Sequence, residues 1–344
     1  MPPTVLFRCD ASGSIGAGHV TRCRALASAL QERAVGVAFL MRRGWTVEGF
    51  EVLQAPDGPD AELSNVDLVQ TIEIAATRGF ETVVVDHYGA RTQYLNALRE
   101  AGLRLGVIDD QADRDLRAAD WILNQNIAAY DIEYRTRSDA LVLRGPRYAL
   151  LRSEFVEART RLARPRTVSD ARVLVTLGGG ATASLCVSLL AALDRVEWPL
   201  SVRCVAVDAG AQLKRAARES RHTVEVLGMV DDMVAQMIWA DVSVNAGGST
   251  CWELLCLGVP MVALALSDDQ RLNSPALEAA GLAVTAGGFE EAVDAVATLL
   301  TDPARRETMA ATGMELVDGH GAHRVAETLV GGLSAARERV HASR

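Results

Sequence analysis

The chain has 344 residues, of which 49% are hydrophobic and 23% charged, so its length predicts about two domains and its apolar content excludes a disordered protein. Forty-four acidic and thirty-five basic residues give a formal net charge of −9, which repels a phosphate backbone and argues against a nucleic-acid-binding protein. No apolar run reaches the roughly 18 residues that cross a bilayer, and residues 1–4 lack a signal-peptide pattern, so we expect a cytoplasmic location.

Short β-branched runs alternate with longer helical stretches along the first half of the chain. They predict six strands, at residues 4–9, 35–41, 82–85, 104–108, 121–123 and 141–143. Their continuous apolar character is typical of strands that are buried on both faces of a parallel sheet.

The same pattern starts again after the polar segment 164–170, which contains a proline. The second half predicts strands at residues 173–177, 202–207, 224–227, 242–244, 261–266 and 282–285. We therefore predict an N-terminal domain over residues 1–164 and a C-terminal domain over residues 165–344, the latter including a terminal helix.

Each half opens with a strand, a glycine-rich loop and a helix. The first loop covers residues 13–19 and precedes a predicted helix over 20–34, and the second covers 178–180 and precedes a helix over 183–193. This order predicts two doubly wound α/β domains facing across a cleft, because ligands of such sheets bind at the carboxyl ends of the strands.

Glycine-rich loops before helices favour anionic ligands, because backbone amides can approach the ligand closely. The first loop has the spacing GxxGxG, which matches neither the dinucleotide pattern GxGxxG nor the P-loop pattern. NAD and ATP are therefore poorly supported as ligands.

A third glycine site, at residues 245–253, follows a predicted strand and opens another helix. Its amides and hydroxyls fit a diphosphate, and the residues concerned are Gly247, Gly248, Ser249 and Thr250. Glu253 follows one turn later, where a carboxylate can bind the hydroxyls of a ribose. The alternative is that Thr250 and Glu253 form only a helix capping box.

His19 stands at the start of the first predicted helix, directly after the glycine loop. We expect its imidazole to face the cleft and the helix N-terminus to keep it neutral, as a general base requires. The alternative is a histidine that only hydrogen-bonds a loop carbonyl. Arg22, one turn further, either meets an anionic group or is solvated.

Two more polar groups follow predicted strands of the first half. Asp86, His87 and Tyr88 come after the strand at 82–85 and are expected to open on the cleft. Asp109 and Asp110 end the next strand, where paired carboxylates serve either acid–base chemistry or loop capping.

The cysteines and histidines predict no metal site. The six cysteines form no Cys-x-x-Cys pair and lie mostly in apolar segments, as buried free thiols do in a reducing compartment. The close histidine pair, His320 and His323, has only Asp318 beside it as a further ligand.

Seven short motifs together carry a family resemblance. They are GAGHVTR at 16–22, VDHYG at 85–89, IDD at 108–110, LNQN at 123–126, GPRYALLRSEF at 145–155, AGGST at 246–250 and DGHGAHRV at 318–325. In combination they resemble the PseG/SpsG family, whose characterised activity is the hydrolysis of UDP-2,4-diacetamido-2,4,6-trideoxy-β-L-altropyranose, a step towards pseudaminic acid. The matches cover nearly the whole chain.

The resemblance implies the GT-B fold of MurG-type glycosyltransferases, with the nucleotide held by the second domain and the sugar facing the first. It implies that His19 is the catalytic base and that the turn at 227–230 binds uracil through backbone groups. No metal or other cofactor is expected, because backbone amides and a helix dipole can neutralise the charge on the diphosphate. From the motifs and the resemblance together, the predicted substrate-binding residues are Gly16, Gly18, Arg22, Asp86, His87, Tyr88, Gly178, Gly228, Met229, Val230, Gly247, Gly248, Ser249, Thr250, Glu253, Gln270 and Asn273.

One segment departs from the family pattern. Family hydrolases usually show Asn-Gln after the strand that follows residues 258–260, whereas this chain has Asp268, Asp269 and Gln270 with Asn273, closer to the MurG-like Asp-x-Gln-x-x-Asn. Gln270 is still expected to reach sugar hydroxyls.

The predicted function is the inverting hydrolysis of a UDP-linked amino sugar by a monomer whose partner is the UDP-sugar, without nucleic acid or a membrane span. The alternative is a MurG-like UDP-sugar glycosyltransferase acting on a related amino sugar. A non-catalytic nucleotide-sugar-binding module and an NAD-dependent oxidoreductase have less support, since the chain keeps His19 and lacks the dinucleotide fingerprint.

Overall fold

A computed structural model describes residues 3–11, 17–59, 62–162, 171–179, 182–266 and 268–342. The chain forms two compact units: the first comprises the described residues of 1–11, 19–152 and 320–344, and the second those of 12–18 and 153–319. The predicted site residue Gly16 and the predicted linker 164–170 lie outside the described residues.

The described part of the chain contains parallel strands and helices in regular alternation. The strands are β1 (Thr4–Cys9), β2 (Gly36–Met41), β3 (Glu51–Gln54), β4 (Thr82–Asp86), β5 (Arg104–Ile108), β6 (Trp121–Asn124), β7 (Leu141–Arg144), β8 (Arg172–Thr176), β9 (Ser201–Val205), β10 (Thr223–Leu227), β11 (Val242–Asn245), β12 (Met261–Leu264) and β13 (Val284–Ala286). The helices are α1 (Gly18–Gln31), α2 (Asn65–Arg78), α3 (Thr92–Glu100), α4 (Ser153–Arg161), α5 (Ala183–Leu193), α6 (Ala211–Glu219), α7 (Met233–Trp239), α8 (Thr250–Cys256), α9 (Asp268–Ala279), α10 (Phe289–Thr301), α11 (Pro303–Leu316) and α12 (Gly321–Ala342).

The first unit is built on a seven-stranded parallel sheet with the order β3-β2-β1-β4-β5-β6-β7. Its six predicted strands are all present, and β1, β4 and β5 are almost fully buried, as their apolar runs indicate. The additional strand β3 was missed because it is a four-residue strand at the sheet edge whose two end residues are polar and exposed, so it lacks a long apolar run.

The second unit is built on a six-stranded parallel sheet with the order β10-β9-β8-β11-β12-β13. Its six strands also match the predicted ones in number and order. Both sheets therefore have the doubly wound arrangement in which the strand order reverses beside the first strand, and ligands of such sheets bind at the carboxyl ends of the strands near that reversal.

The predicted domain boundaries are wrong for the C-terminal helix α12. This helix belongs to the first unit and not to the C-terminal domain. Ala322, Val325 and Ala326 are buried in the same core as residues of β1 and α1. A Cβ on Gly321 would lie 2.2 Å from the Ala149 carbonyl oxygen, so only glycine permits this close approach.

The other boundary also differs from the prediction, since the second unit begins at Ser153 with α4. The Arg159 guanidinium of α4 donates hydrogen bonds to the carbonyl oxygens of Cys256, Met314 and Val317. These carbonyls lie at or near the C-terminal ends of α8 and α11, where a cation is electrostatically favoured.

Within the described ranges, no helix is long and apolar enough to span a bilayer.

The burial of α12 predicts the effect of shortening Val325, which is fully buried. Val325→Ala should lower the unfolding free energy of the first unit by about 1–3 kcal/mol, because it leaves a cavity. Val66→Ala is the matched control, since Val66 is 67% exposed on α2 and should change that free energy by less than about 0.5 kcal/mol. Native-state hydrogen exchange of the β1 amides measures both, and equal effects would contradict this placement of α12.

Candidate active site

Polar side chains from three elements meet at the carboxyl edge of the first sheet. His19 and Arg22 lie one turn apart on α1, Asp86 is the last residue of β4, and Asp110 follows β5. Because residues three apart share a helix face, α1 presents His19 and Arg22 together to the strand ends. We call these four residues the His19 cluster.

His19 is paired with the Asp86 carboxylate. Its Nδ1 lies 2.5 Å from Asp86 Oδ1, and the two side chains are 8% and 0% exposed. The His19 ring also packs edge-on against Tyr88, with 4.8 Å between ring centroids. A carboxylate is acceptor-only, so Nδ1 carries the hydrogen of this bond and Nε2 of the neutral ring is left as the proton acceptor.

Arg22 holds the same carboxylate from its other side. Its Nε and Nη2 donate to the two oxygens of Asp86 over 2.7 and 2.6 Å. Burial by itself raises the pKa of Asp86, but the Arg22 guanidinium and His19 outweigh burial and hold that pKa well below its usual range. Asp86 is therefore an ionised, buried carboxylate that fixes both basic side chains.

Asp110 extends the cluster outwards. It accepts hydrogen bonds from Arg22 Nη1 at 2.8 Å, from Tyr88 Oη at 3.0 Å and from Asn126 Nδ2 at 2.9 Å. The sequence left the role of Asp110 open, and Asn126 was not among the predicted site residues. The sequence signal for Asn126 was its position two residues after β6, because β6 lies next to β5 and the residues that follow neighbouring parallel strands meet at one sheet edge.

Asp109 differs from its neighbour Asp110. Its Oδ1 accepts from the backbone amides of Gln111 and Ala112, and its Oδ2 lies 2.9 Å from Arg114 Nη2. Burial raises the pKa of Asp109 despite this arginine. Of the two roles considered for the aspartate pair, loop capping thus describes Asp109, whereas Asp110 belongs to the His19 cluster.

His87 is a buried residue that shapes the loop after β4. Its Nδ1 accepts from the Gly89 amide at 2.9 Å, and its Nε2 lies 3.3 Å from Asp10 Oδ2. Burial lowers the pKa of His87, although Asp10 acts in the opposite direction. Contact between His87 and a substrate remains a prediction.

A second buried ionic group, missed from the sequence, lies around β1. Arg8 is fully buried, pairs with Asp67 at 2.7 Å and lies 2.9 Å from Asp10. Tyr94 Oη also donates to Asp67, at 2.7 Å. An arginine inside the apolar run of β1 was the available signal, because a charge in a buried strand requires a partner.

The predicted nucleotide-binding residues of the second unit all follow carboxyl ends of its strands. Gly178 follows β8, residues 228–230 follow β10, residues 247–250 follow β11, and α9 with Gln270 and Asn273 follows β12. Gln270 lies beside the glycine pair Gly247 and Gly248. A Cβ placed on Gly248 would be 3.9 Å from Gln270 Nε2.

The glycine pair differs from the prediction in one respect. Gly247 has a φ of +67° and is buried, and its amide donates to Asn245 Oδ1 at 2.8 Å. That amide is therefore already bound, whereas Gly248, Ser249 and Thr250 are partly exposed. Ser249, without a capping hydrogen bond from its side chain, is the N-cap of α8, so the predicted capping box starting at Thr250 is not formed.

The N-terminus of α5, which follows the glycine loop after β8, is closed by a carboxylate of the chain itself. Asp208 Oδ1 accepts from the amides of Thr182 and Ala183 at 3.1 and 3.0 Å. An anionic ligand there would compete with Asp208. Of α5 and α8, α8 is therefore better suited to a phosphate.

In the described part of the chain, no three His, Cys, Asp or Glu side chains are grouped so that they could hold a metal ion.

The lowered pKa of Asp86 predicts how the free energy of unfolding depends on pH. The carboxylate stabilises the folded state at pH values above the usual aspartate pKa, and this contribution is lost as pH falls from about 4 towards 2, because the unfolded chain binds the proton first. Asp86→Asn should lower the unfolding free energy at neutral pH by about 3–5 kcal/mol and flatten its decline in acid.

Urea unfolding followed by circular dichroism at several pH values measures both effects. Asp113→Asn is the control, because Asp113 is 41% exposed and 3.4 Å from its partner Arg91, and its decline in acid should parallel that of the unmodified chain. An equally steep decline in Asp86→Asn would contradict the ionised state of Asp86.

Comparison with known proteins places these units in context. Residues 205–319 match the family model described as Glycosyltransferase family 28 C-terminal domain. The chain is 23% identical over 332 residues to the spore coat polysaccharide biosynthesis protein SpsG of Bacillus subtilis, an alignment covering 91% of this chain and 94% of SpsG.

A second relative is the UDP-2,4-diacetamido-2,4,6-trideoxy-beta-L-altropyranose hydrolase of Campylobacter jejuni, 32% identical over 156 residues. That match covers 44% of this chain and 53% of the hydrolase. Among solved structures, Acinetobacter baumannii MurG superposes with a TM-score of 0.68 at 17% identity, covering 95% of this chain and 99% of MurG. The two doubly wound units thus have the GT-B fold, as predicted.

Proposed function

We propose that this chain is an enzyme that hydrolyses a UDP-linked 2,4-diacetamido-2,4,6-trideoxyhexose to UDP and the free sugar, in the biosynthesis of a nonulosonic acid of the pseudaminic type. The observation that carries the proposal is the buried pair of His19 and Asp86, with 2.5 Å between Nδ1 and Oδ1. Likeness to the Campylobacter hydrolase supports this choice of reaction.

In this proposal, the second unit binds UDP. Gly248, Ser249 and Thr250 contact the diphosphate, because these residues are partly exposed at the start of α8 and helix N-termini favour anions. Glu253 binds the ribose, and the backbone at 228–230 binds the uracil. These groups stabilise the charge that develops on the diphosphate as it leaves.

His19 then acts as the general base of the reaction. A water oxygen attacks the anomeric carbon, the bond between that carbon and the diphosphate oxygen breaks, and UDP departs with the electron pair. The proton of the water passes to His19 Nε2. Asp86 keeps the ring in the required tautomer and stabilises the imidazolium that forms, as the aspartate of a catalytic triad does. Because the water attacks opposite the leaving group, the configuration inverts.

A glycosyltransferase is the second candidate function. It is favoured by the match of residues 205–319 to the glycosyltransferase family 28 C-terminal domain and by the spacing of Asp268, Gln270 and Asn273. The same base would then deprotonate an acceptor hydroxyl in place of water.

Incubation of the enzyme with the UDP-sugar alone distinguishes these functions. Hydrolysis predicts stoichiometric release of UDP and free sugar, with NMR showing the inverted anomer first. UDP release only after addition of an acceptor would instead establish the transferase.

His19→Ala should reduce this turnover at least ~100-fold, since a positioned base typically contributes 10²–10⁴, while calorimetry should show nearly unchanged UDP affinity. His323→Ala, whose side chain is 37% exposed on α12, is the control and should keep full activity. Unchanged turnover in His19→Ala would remove His19 from the mechanism.

Gly248→Ala tests the diphosphate site separately. The new Cβ would have no atom nearer than 3.9 Å, so folding should be unaffected, but it would obstruct a phosphate at the Gly248 amide. We expect UDP affinity to fall about tenfold or more, equivalent to at least about 1.4 kcal/mol. Gly288→Ala, also unhindered, should bind UDP normally. Calorimetry and thermal melting measure both variants, and normal UDP binding by Gly248→Ala would argue against this site.

A further inference from the structure

We propose that Asp110 is a positioning residue for the proton transfer: acting through Arg22, it offsets the guanidinium charge beside His19 and so allows His19 to become protonated during the reaction. This inference rests on the proposed function of His19 as the base. It assigns a role to a carboxylate that need not touch the substrate.

Arg22 is placed between two carboxylates and uses all three guanidinium nitrogens. Nε and Nη2 donate to Asp86 over 2.7 and 2.6 Å, and Nη1 donates to Asp110 over 2.8 Å. The side chains of Arg22 and Asp110 are each 7% exposed, and that of Asp86 is 0% exposed. Bulk water therefore screens these charges weakly.

The Arg22 guanidinium also lies next to the base itself. Its Nη2 is 3.3 Å from His19 Nδ1, a distance at which a positive charge strongly disfavours a second one on the imidazole. Asp86 cannot neutralise both partners once His19 carries a proton. Asp110, the second carboxylate bonded to Arg22, supplies the negative charge that balances the second positive charge.

Counting formal charges shows the effect. When His19 is neutral, the net formal charge of the His19 cluster is −1, because Arg22 is positive and both Asp86 and Asp110 are negative. Protonation of His19 brings this net charge to zero. Without the Asp110 charge, the same proton would take the cluster from zero to +1. Asp110 thus favours the imidazolium that forms when His19 removes a proton from water.

The strength of the link between Arg22 and Asp110 supports this account. Burial lowers the pKa of Arg22, but Asp110 and then Asp86 outweigh burial, so that the pKa lies well above its ordinary value. Asp110 is thus one of the two carboxylates that stabilise the buried Arg22 charge.

The other polar groups around the cluster do not take the place of Asp110. Tyr88 donates to Asp110 and packs against His19, Asn126 donates to Asp110, and Cys23 Sγ donates to Asp86 at 3.4 Å. The buried His87, which His19 influences electrostatically, is held against Asp10. Asp109 faces Arg114.

Asp110→Asn tests the proposal, because it removes the charge and keeps the size of the side chain. We expect kcat to fall about tenfold or more while KM stays within about twofold, as for a group that acts mainly in the transition state. The acid limb of the pH profile of kcat/KM should move to lower pH by about one unit or more, since protonation of His19 becomes less favourable and one pKa unit corresponds to a tenfold change.

NMR titration of labelled histidines, with the His19 signal identified from His19→Gln, measures the same shift without substrate. Asp110→Glu keeps the charge and should keep the titration midpoint. Asp120→Asn is the matched control, because Asp120 is likewise an aspartate paired with arginine, here Arg99 and Arg137, and this substitution should change neither kcat nor the His19 titration.

A double variant tests whether Asp110 acts through Arg22. In an Arg22→Gln chain, adding Asp110→Asn should change kcat less than about twofold, because coupled residues are not additive. Additive effects would overturn the proposal, as would an unchanged His19 titration or an unchanged kcat in Asp110→Asn.

Circular dichroism verifies the folding of each variant, and Asp110→Ser replaces Asp110→Asn if the latter does not fold. Failure of the proposed function gives a different result: the unmodified chain would not hydrolyse the UDP-sugar alone, or His19→Ala would keep full turnover, whereas the His19 titration would still report the coupling to Asp110.

Discussion

The candidate site of the first unit depends on one buried charge, the carboxylate of Asp86 at the end of β4. Removing a carboxylate from water costs several kcal/mol unless it is paired and hydrogen-bonded. Arg22 and His19 satisfy both of its oxygens, and these two residues lie in the first turns of α1. The need to compensate Asp86 therefore fixes the start of α1 against the strand ends, and it orients the imidazole that the proposed reaction uses.

The two units have the same strand order but different chemistry at their carboxyl edges. The first unit gathers ionisable side chains there, namely His19, Arg22, Asp86 and Asp110. The second gathers glycines, hydroxyls and helix N-termini, and Asp208 closes the start of α5 but not that of α8. In the proposed function, this difference corresponds to proton transfer by the first unit and anion binding by the second.

Much of the fold could be predicted because strands buried on both faces leave continuous apolar runs, as in β1, β4 and β8. The edge strand β3 leaves no such run because its end residues are exposed. Helix α12 was assigned to the wrong domain for another reason: a helical pattern shows that one face is apolar, but not which core covers that face.

By itself, the sequence determined the residue types, the succession of strands and helices, and hence the doubly wound architecture with polar residues after the strands. Only the tertiary structure decided which of those residues meet. Asp109 and Asp110 are adjacent, yet one caps a loop and the other binds Arg22; Gly247 and Gly248 are adjacent, yet one amide is bound within the chain. The physical reason is that the partner of a residue is either distant in the sequence, 88 residues away for Asp110 and Arg22, and brought near by strand order and packing, or selected by a local backbone conformation such as the positive φ of Gly247.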